Sequence, residues 1–317
     1  MRGAARSRQV SELPIRMSID FFSGRLALLL LSLAGPAAGT ELPAWIIEVP
    51  ASLRTLLVAD TGNATLYEYA IDKNGGANVE EYYMSIGEHG VGKTRSGDRR
   101  TPLGNYIIVD QLDTSRLDPK YGVTAFPLDY PNIVDSMAGR TGSGIWLHGV
   151  PPGGERRPER DTDGCIALPN EDLVDLASRL DTGMTPLIVT RAMQFAPEQE
   201  KKAIRSTLNA HLEAWRKAIV SRDAITYLSL YAPDFHYRGL GHEEWTRLRA
   251  AQLSEPVATE IEVRDLLILQ DPEEPGLVMT RFQAVVTRDD RSARWTKRLY
   301  WRRTADGRFQ IVAEDNG

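Results

Sequence analysis

Short runs of alternating and β-branched apolar residues dominate the first half of the chain. Residues 55–59 (TLLVA), 65–71 (TLYEYAI), 80–86 (EEYYMSI), 105–109 (NYIIV) and 144–148 (GIWLH) carry the pattern of short strands. Asp60-Thr61-Gly62-Asn63 supplies hairpin residues between the first two. The spacing then turns helical over 171–180 (EDLVDLASRL), where Leu173, Leu176, Ala177 and Leu180 share a face. Asn170 stands in the capping position and Gly183 at the stop. Residues 185–190 (TPLIVT) return to strand. From 198 to 221 a long amphipathic helix is expected, with Ile204, Leu208, Leu212, Trp215 and Ile219 on one stripe. Helical pieces at 224–231 and 243–252 follow, then four long strand-like runs at 258–270, 276–288, 293–304 and 308–315. Trp295, Tyr300 and Trp301 fall on both faces of the third.

This order predicts a mostly β domain with a short helix, over 53–191, followed by an α+β domain of helices and an antiparallel meander. Segment 40–52 precedes the first domain, 192–200 links the two, and the second covers 201–317. No internal repeat relates the halves.

Composition adds little: 42% apolar and 26% charged residues describe ordinary globular protein. A net charge of -5 gives no electrostatic reason to expect a nucleic-acid partner. The N-terminus changes the picture more. Arg2, Arg6, Arg8, Arg16 and Arg25 precede the apolar run LALLLLSLAG, and small Ala37 and Gly39 follow as in a cleavage site. The run is short for a membrane span. Residues 1–39 are therefore expected to be an export signal, the alternative being an uncleaved anchor. That places the protein in the periplasm, with the membrane involved only through the signal. Cys165 is the single cysteine, so no internal disulfide is possible and its thiol is either buried or chemically used.

Gly87–Thr94, GEHGVGKT, matches the P-loop pattern letter for letter. A P-loop needs a helix behind its lysine, and here Gly97, Pro102 and Gly104 follow within a few residues. The later YIIVD lies too close for a strand–loop–helix–strand unit. Nucleotide is not expected as a partner.

The chemistry-bearing segment is GIWLHGVPPGGERRPERDTDGCIALPNEDL. It ends a strand at His148-Gly149, crosses a loop rich in Pro, Gly and Arg, and reaches Thr162-Asp163-Gly164-Cys165 before the helix. A thiol is a good nucleophile only as thiolate, and histidine is the fitting base. The loop is long enough to fold His148 back onto Cys165. A zinc site from His148, Asp163 and Cys165 would lack the paired-ligand spacing of such sites.

HG followed after a variable loop by S/T-x-G-C resembles the signature of YkuD-type L,D-transpeptidases. The likeness extends over about residues 53–191, through LLVAD, GDRRTPLGNYII and LDYPN. It implies a YkuD-like β-sandwich or barrel and a role for each matching residue. Cys165 would attack the amide between an L-centre and D-alanine in peptidoglycan stem peptides, and its pKa would be lowered. His148 would be the general base and acid, oriented by the Gly149 carbonyl. The amides of Gly164 and Cys165 would hold the oxyanion. Two positions depart from the common pattern: Ala167 stands where Arg is usual, and Asp163 where His or Asn is usual. Arg156, Arg157 and Arg160 are the candidates for a substituted substrate anchor. No motif implies a metal or organic cofactor.

Residues 198–317 resemble the nuclear-transport-factor-like (SnoaL-like) cone through AWRKAIVSRD, LYAPDF and HEEW-x-x-L-R. Such a domain follows the catalytic one in some cell-shape carboxypeptidases. His236, Tyr237 and Trp245 are placed either to line a cone pocket or to pack. The expected function is L,D-transpeptidation, motivated by HG…TDGC; the alternatives are L,D-carboxypeptidase trimming of tetrapeptide stems, motivated by GCIAL-x-N, Ala167 and the domain order, or a catalytically inactive cell-wall binding protein. Nothing in the sequence sets an oligomeric state.

Overall fold

The computed structural model describes residues 41–317 except 73–75, 155, 236, 238–239, 256–259 and 289–290. The export-signal reading and His236 therefore lie outside the described residues. In chain order the first elements are β1 (Ile46–Glu48), β2 (Thr55–Asp60), β3 (Thr65–Ile71), β4 (Ala77–Tyr83), β5 (Ile86–Gly87), β6 (Gly104–Ile107), β7 (Ala125–Pro127) and α1 (Ile133–Met137). They are followed by β8 (Trp146–His148), β9 (Arg160–Thr162), β10 (Ile166–Ala167), α2 (Asn170–Ala177) and β11 (Pro186–Thr190). The second half holds α3 (Glu198–Ser221), α4 (Ala224–Ser229), α5 (His242–Ser254), β12 (Glu260–Gln270), β13 (Leu277–Arg288), β14 (Arg291–Arg303) and β15 (Phe309–Asp315). Among the described residues no helix is long and apolar enough to cross a membrane.

The mostly β first half and α+β second half agree with the sequence pattern. A five-stranded sheet of order β4-β3-β2-β11-β6 forms the centre of the first half, with β2 and β11 parallel. A smaller sheet, β10-β8-β7, and the pair β5-β9 complete it.

Burial of β2 and β11 explains their sequence. All six residues of β2 are buried, although neighbours on a strand point to opposite faces. Leu57 and Ala59 join Leu187 and Val189 in one core, with Phe126, Leu147 and Leu173. Leu56, Val58 and Ile188 enter a second core, built with Leu267, Leu269, Leu277, Met279, Tyr300 and Val312 from the second half. The central sheet is thus covered on both sides, which is why these strands read as near-continuous apolar runs.

The sheet of the second half is covered on both sides as well. Its strand order is β1-β12-β13-β14-β15. Ile268, Val278, Leu299, Trp301 and Ile311 face the helices, where α3 contributes Leu208, Leu212, Trp215 and Ile219. The intervening residues form the core shared with the first half. Tyr300 and Trp301 thus lie in different cores, whereas Trp295 is exposed. Trp245 is buried; it stacks on Tyr227 and meets Tyr231 and Phe235 at a tilt. Polar links between the halves include Arg298 with Asp129, Asn105 Nδ2 donating to Gln270 O at 3.1 Å, and Arg191 with Glu273 at 3.1 Å.

Several sequence expectations shift. The segment 40–52 supplies β1, an edge strand of the second-half sheet, paired antiparallel with β12. Buried Lys201 of α3 holds that segment by donating to the carbonyls of Leu42 and Pro43 at 2.5 and 3.0 Å. The strand expected at 80–86 begins earlier and stops at Tyr83, because Ser85 leaves the main sheet to bridge Ala167. The strand expected at 105–109 ends at Ile107, since Ile108 bridges Leu128 instead. Asn170 is not the cap of α2: Pro169 holds that position, and the Asn170 carboxamide is used elsewhere.

Candidate active site

Strand pairing brings the sequence-distant His148 and Cys165 together. β8 and β10 run parallel, with Leu147 opposite Ile166 and His148 opposite Ala167. Extending that register by one residue sets Cys165 beside Trp146. Period-two alternation then puts His148 and Cys165 on the same face of the small sheet. Both are buried, and both line one cleft of about 460 Å³.

The imidazole is fixed from two sides. Its Nδ1 lies 2.6 Å from the Gly149 carbonyl, which makes Nδ1 the protonated nitrogen and leaves Nε2 as the acceptor. The Tyr121 ring meets it edge-on, with centroids 5.2 Å apart, and packs in turn on Trp146 at 4.6 Å. The backbone after His148 is pinned by Asn170, whose Oδ1 accepts from Val150 N at 3.0 Å and whose Nδ2 donates to Val150 O at 2.9 Å. Gly122, at φ +67, and Gly149 both pass so close to that carboxamide that a Cβ on either would overlap it. Asn170 was legible as part of GCIAL-x-N, but its spacing before a helix pointed to a cap. No sequence signal marked Tyr121.

The turn carrying the thiol is built by Thr162. Its Oγ1 donates to the Cys165 carbonyl at 2.7 Å and accepts from the Gly164 amide at 3.1 Å. Gly164 has φ +121, and a Cβ there would lie 2.7 Å from the Arg100 carbonyl, so only glycine fits. The Gly164 N–H, expected to face an oxyanion, is therefore already used inside the turn.

Burial sets the protonation states. It is the main cause that lowers the His148 pKa to about 4; the Gly149 hydrogen bond opposes it, and the charges of Arg157 and Lys120 add to it. Burial also pushes the Cys165 thiol above its ordinary value, and the hydrogen bond from Trp146 and the charge of Lys120 only partly offset this. The thiol donates to the Gly144 carbonyl at 3.4 Å. The expected lowered cysteine pKa is thus reversed: the resting pair is thiol and neutral imidazole, not thiolate and imidazolium.

Of the three loop arginines, only Arg157 lines the cleft. Arg156 stacks on Tyr83, 3.5 Å from the ring centroid, and Arg160 is exposed near Gly90. Asp163 is held by Arg99 and Lys120, at 3.2 and 3.4 Å, and its charge adds to the rise of the Cys165 pKa. Partial burial disfavours its charge, but hydrogen bonds from those two residues prevail and keep its pKa below the usual range. Ala167 is buried on β10, its amide and carbonyl paired with Ser85.

The P-loop-like segment has a different task. No helix follows it; Lys93 is buried in an ion pair with Asp98 at 2.8 Å and also donates to the Arg95 carbonyl. Asp98 further accepts from the amides of Thr94, Arg95 and Arg100, so Lys93 and Asp98 together fold the loop at the cleft's edge. Among the described residues no group of three or more His, Cys, Asp or Glu side chains is placed to hold a metal ion.

Comparison with known proteins agrees with this architecture. Residues 54–189 match the model of the L,D-transpeptidase catalytic domain, YkuD, and residues 207–315 match that of the Cds6 C-terminal NTF2-like domain. No curated protein matches the chain. Among solved structures, the helical cell shape determining protein Pgp2 from Campylobacter jejuni is 28% identical, with a TM-score of 0.69; the match covers 82% of this chain and 91% of that one. A point mutant of the same Campylobacter protein aligns at 26% identity and TM-score 0.69, covering 87% and 93%. Bd1075 from Bdellovibrio bacteriovorus shares the fold at 23% identity and TM-score 0.70, covering 87% and 98%. The chain thus joins a YkuD-like domain to an NTF2-like C-terminal domain.

Proposed function

We propose that this protein is an exported, cysteine-dependent peptidoglycan enzyme that cleaves the bond between an L-centre and D-alanine in stem peptides. The observation that carries this reading is the buried thiol and imidazole on one face of the small sheet, opening into a cleft rimmed by charge. His148 Nε2 accepts the Cys165 proton as sulfur attacks the scissile carbonyl, then delivers it to the departing amine. The Gly149 carbonyl stabilises the imidazolium that forms in between. With Gly164 engaged by Thr162, the Cys165 amide is left as the oxyanion donor of the turn. A thioester acyl-enzyme remains, and free D-alanine leaves.

Water is the favoured second substrate, which makes the enzyme an L,D-carboxypeptidase trimming tetrapeptides to tripeptides. A cleft of about 460 Å³ has the size of a site for one peptide-sized ligand. The likeness to a Campylobacter protein named as determining helical cell shape supports a remodelling role. Transpeptidation is the second reading, favoured by the catalytic-domain match. Incubation with purified muropeptides and mass spectrometry separates them. Tripeptides with free D-alanine are expected; cross-linked dimers without tripeptides would establish transpeptidation instead.

The pH profile follows from the imidazole. A base with its pKa lowered to about 4 is neutral, hence able to accept a proton, above that value and disabled below it. The rate kcat/KM is expected to be flat through neutral pH, with an acidic limb centred near 4. A limb near 6.5, the value of a free histidine, would contradict the buried neutral base.

A further inference from the structure

We propose that Arg99 and Lys120 form a carboxylate-binding pair beside the nucleophile, occupied by Asp163 until a peptide carboxylate displaces it. The inference rests on the reading of the cleft as a peptide-processing site. Among the described residues, four cations line that cleft: Lys93, Arg99, Lys120 and Arg157. Two are committed to their own loops. Lys93 is buried against Asp98, and Arg157 grips Asp161 through Nε to Oδ2 at 2.8 Å and Nη2 to the carbonyl at 2.9 Å.

Arg99 and Lys120 are held differently. They come from separate segments and converge on one carboxylate, Arg99 Nε on Asp163 Oδ1 and Lys120 Nζ on Oδ2. That carboxylate belongs to the residue two before Cys165 and is 61% exposed. Exposed ion pairs of this length contribute little, so exchanging Asp163 for another carboxylate carries a small penalty. Arg99 also contacts Glu88, which keeps the guanidinium at the rim, and its backbone sits at φ +56 in a loop braced by His89 N donating to Arg99 O at 3.1 Å. Two donors at fixed positions suit the two oxygens of a carboxylate. Arg99 and Lys120 line the same cleft as His148 and Cys165, so a carboxylate held there shares the cleft with the reacting amide. The ligand class is a free peptide carboxylate, either the terminal one of the D-residue or one further along the stem.

Binding to Cys165→Ala protein, followed by titration calorimetry, tests the pair without turnover. Three stem tetrapeptides are used: unmodified, with a terminal carboxamide, and with the internal carboxylates amidated. One of the two amidations is expected to weaken binding roughly 10- to 100-fold and so name the source. Arg99→Gln and Lys120→Met should each weaken the unmodified peptide several-fold or more, yet leave that amide unaffected. Asp163→Asn should tighten only peptides that keep the carboxylate. Equal losses on acid and amide, or no loss, would overturn the pair while peptide binding itself stands. If no peptide binds a protein whose circular dichroism and melting match wild type, the peptide-site reading falls and the pair with it.

Discussion

Replacing Cys165 by serine is expected to abolish D-alanine release, lowering kcat/KM by at least about 10⁴-fold. Serine is close in size and its hydroxyl can keep the hydrogen bond to the Gly144 carbonyl, so folding is expected to survive. The chemistry is not. The His148 pKa is lowered to about 4 and the thiol is raised above its ordinary value, so moving the proton from sulfur to nitrogen is already uphill. Burial opposes each charge when it appears alone. Proton transfer creates both together, and their mutual attraction offsets part of that opposition. A hydroxyl is a weaker acid than a thiol by several further units, and attraction of the same size no longer closes the gap. Initial rates of D-alanine release with matched melting curves check this. Turnover above about one per cent of wild type would place the nucleophile elsewhere.

Removal of the second half is expected to destroy the fold of the first. In a chain of residues 41–195, Leu53, Leu56, Val58, Tyr69 and Ile188 lose Leu267, Leu269, Leu277, Met279, Tyr300 and Val312 from their core. At roughly 1.5–3 kcal/mol for each large apolar side chain returned to water, the loss is on the order of 10 kcal/mol. That rivals the whole stability of a typical domain, about 5–15 kcal/mol. Asp129 would also lose Arg298, and β1 its partner strand. Near-ultraviolet circular dichroism and thermal melting should show no cooperative transition for the shortened chain. A sharp melt near the full-length temperature would mean that the shared core contributes little.

This shared core also marks the limit of what the sequence discloses. The run TLLVAD identifies a strand, and its lack of polar alternation indicates burial on two sides. It does not say what covers the second side. That partner is supplied by alternate residues of β12–β15, such as Leu267 and Leu269 against Ile268, more than two hundred positions away. The segment 40–52 was opaque for the same reason, since the three residues of β1 carry no period and gain their identity from β12.

At the site, the residue types and the His148–Cys165 spacing were legible, because attack by a thiol needs a base and few residue types supply one. Their electrostatics were not. The sequence suggests an activated thiolate, whereas nine-tenths burial makes the uncharged pair the stable one. Likewise the resemblance marked the Gly164 amide as an oxyanion donor, but not that Thr162 Oγ1 would take it. Arg156 and Arg160 carried the right charge, yet Arg156 stacks on Tyr83 and Arg160 is exposed outside the cleft; Arg99, inside GDRRTPLGNYII, and Lys120, from a segment without a motif, line it together with Arg157.

The most direct measurement is the intact mass of wild-type protein, acid-quenched within seconds of mixing with stem tetrapeptide, followed by peptide mapping. One added tripeptide acyl group is expected, carried as a thioester by the fragment containing Cys165 and absent from Cys165→Ala. D-alanine release with no adduct at any quench time, or an adduct mapped to another residue, would contradict covalent catalysis by this sulfur.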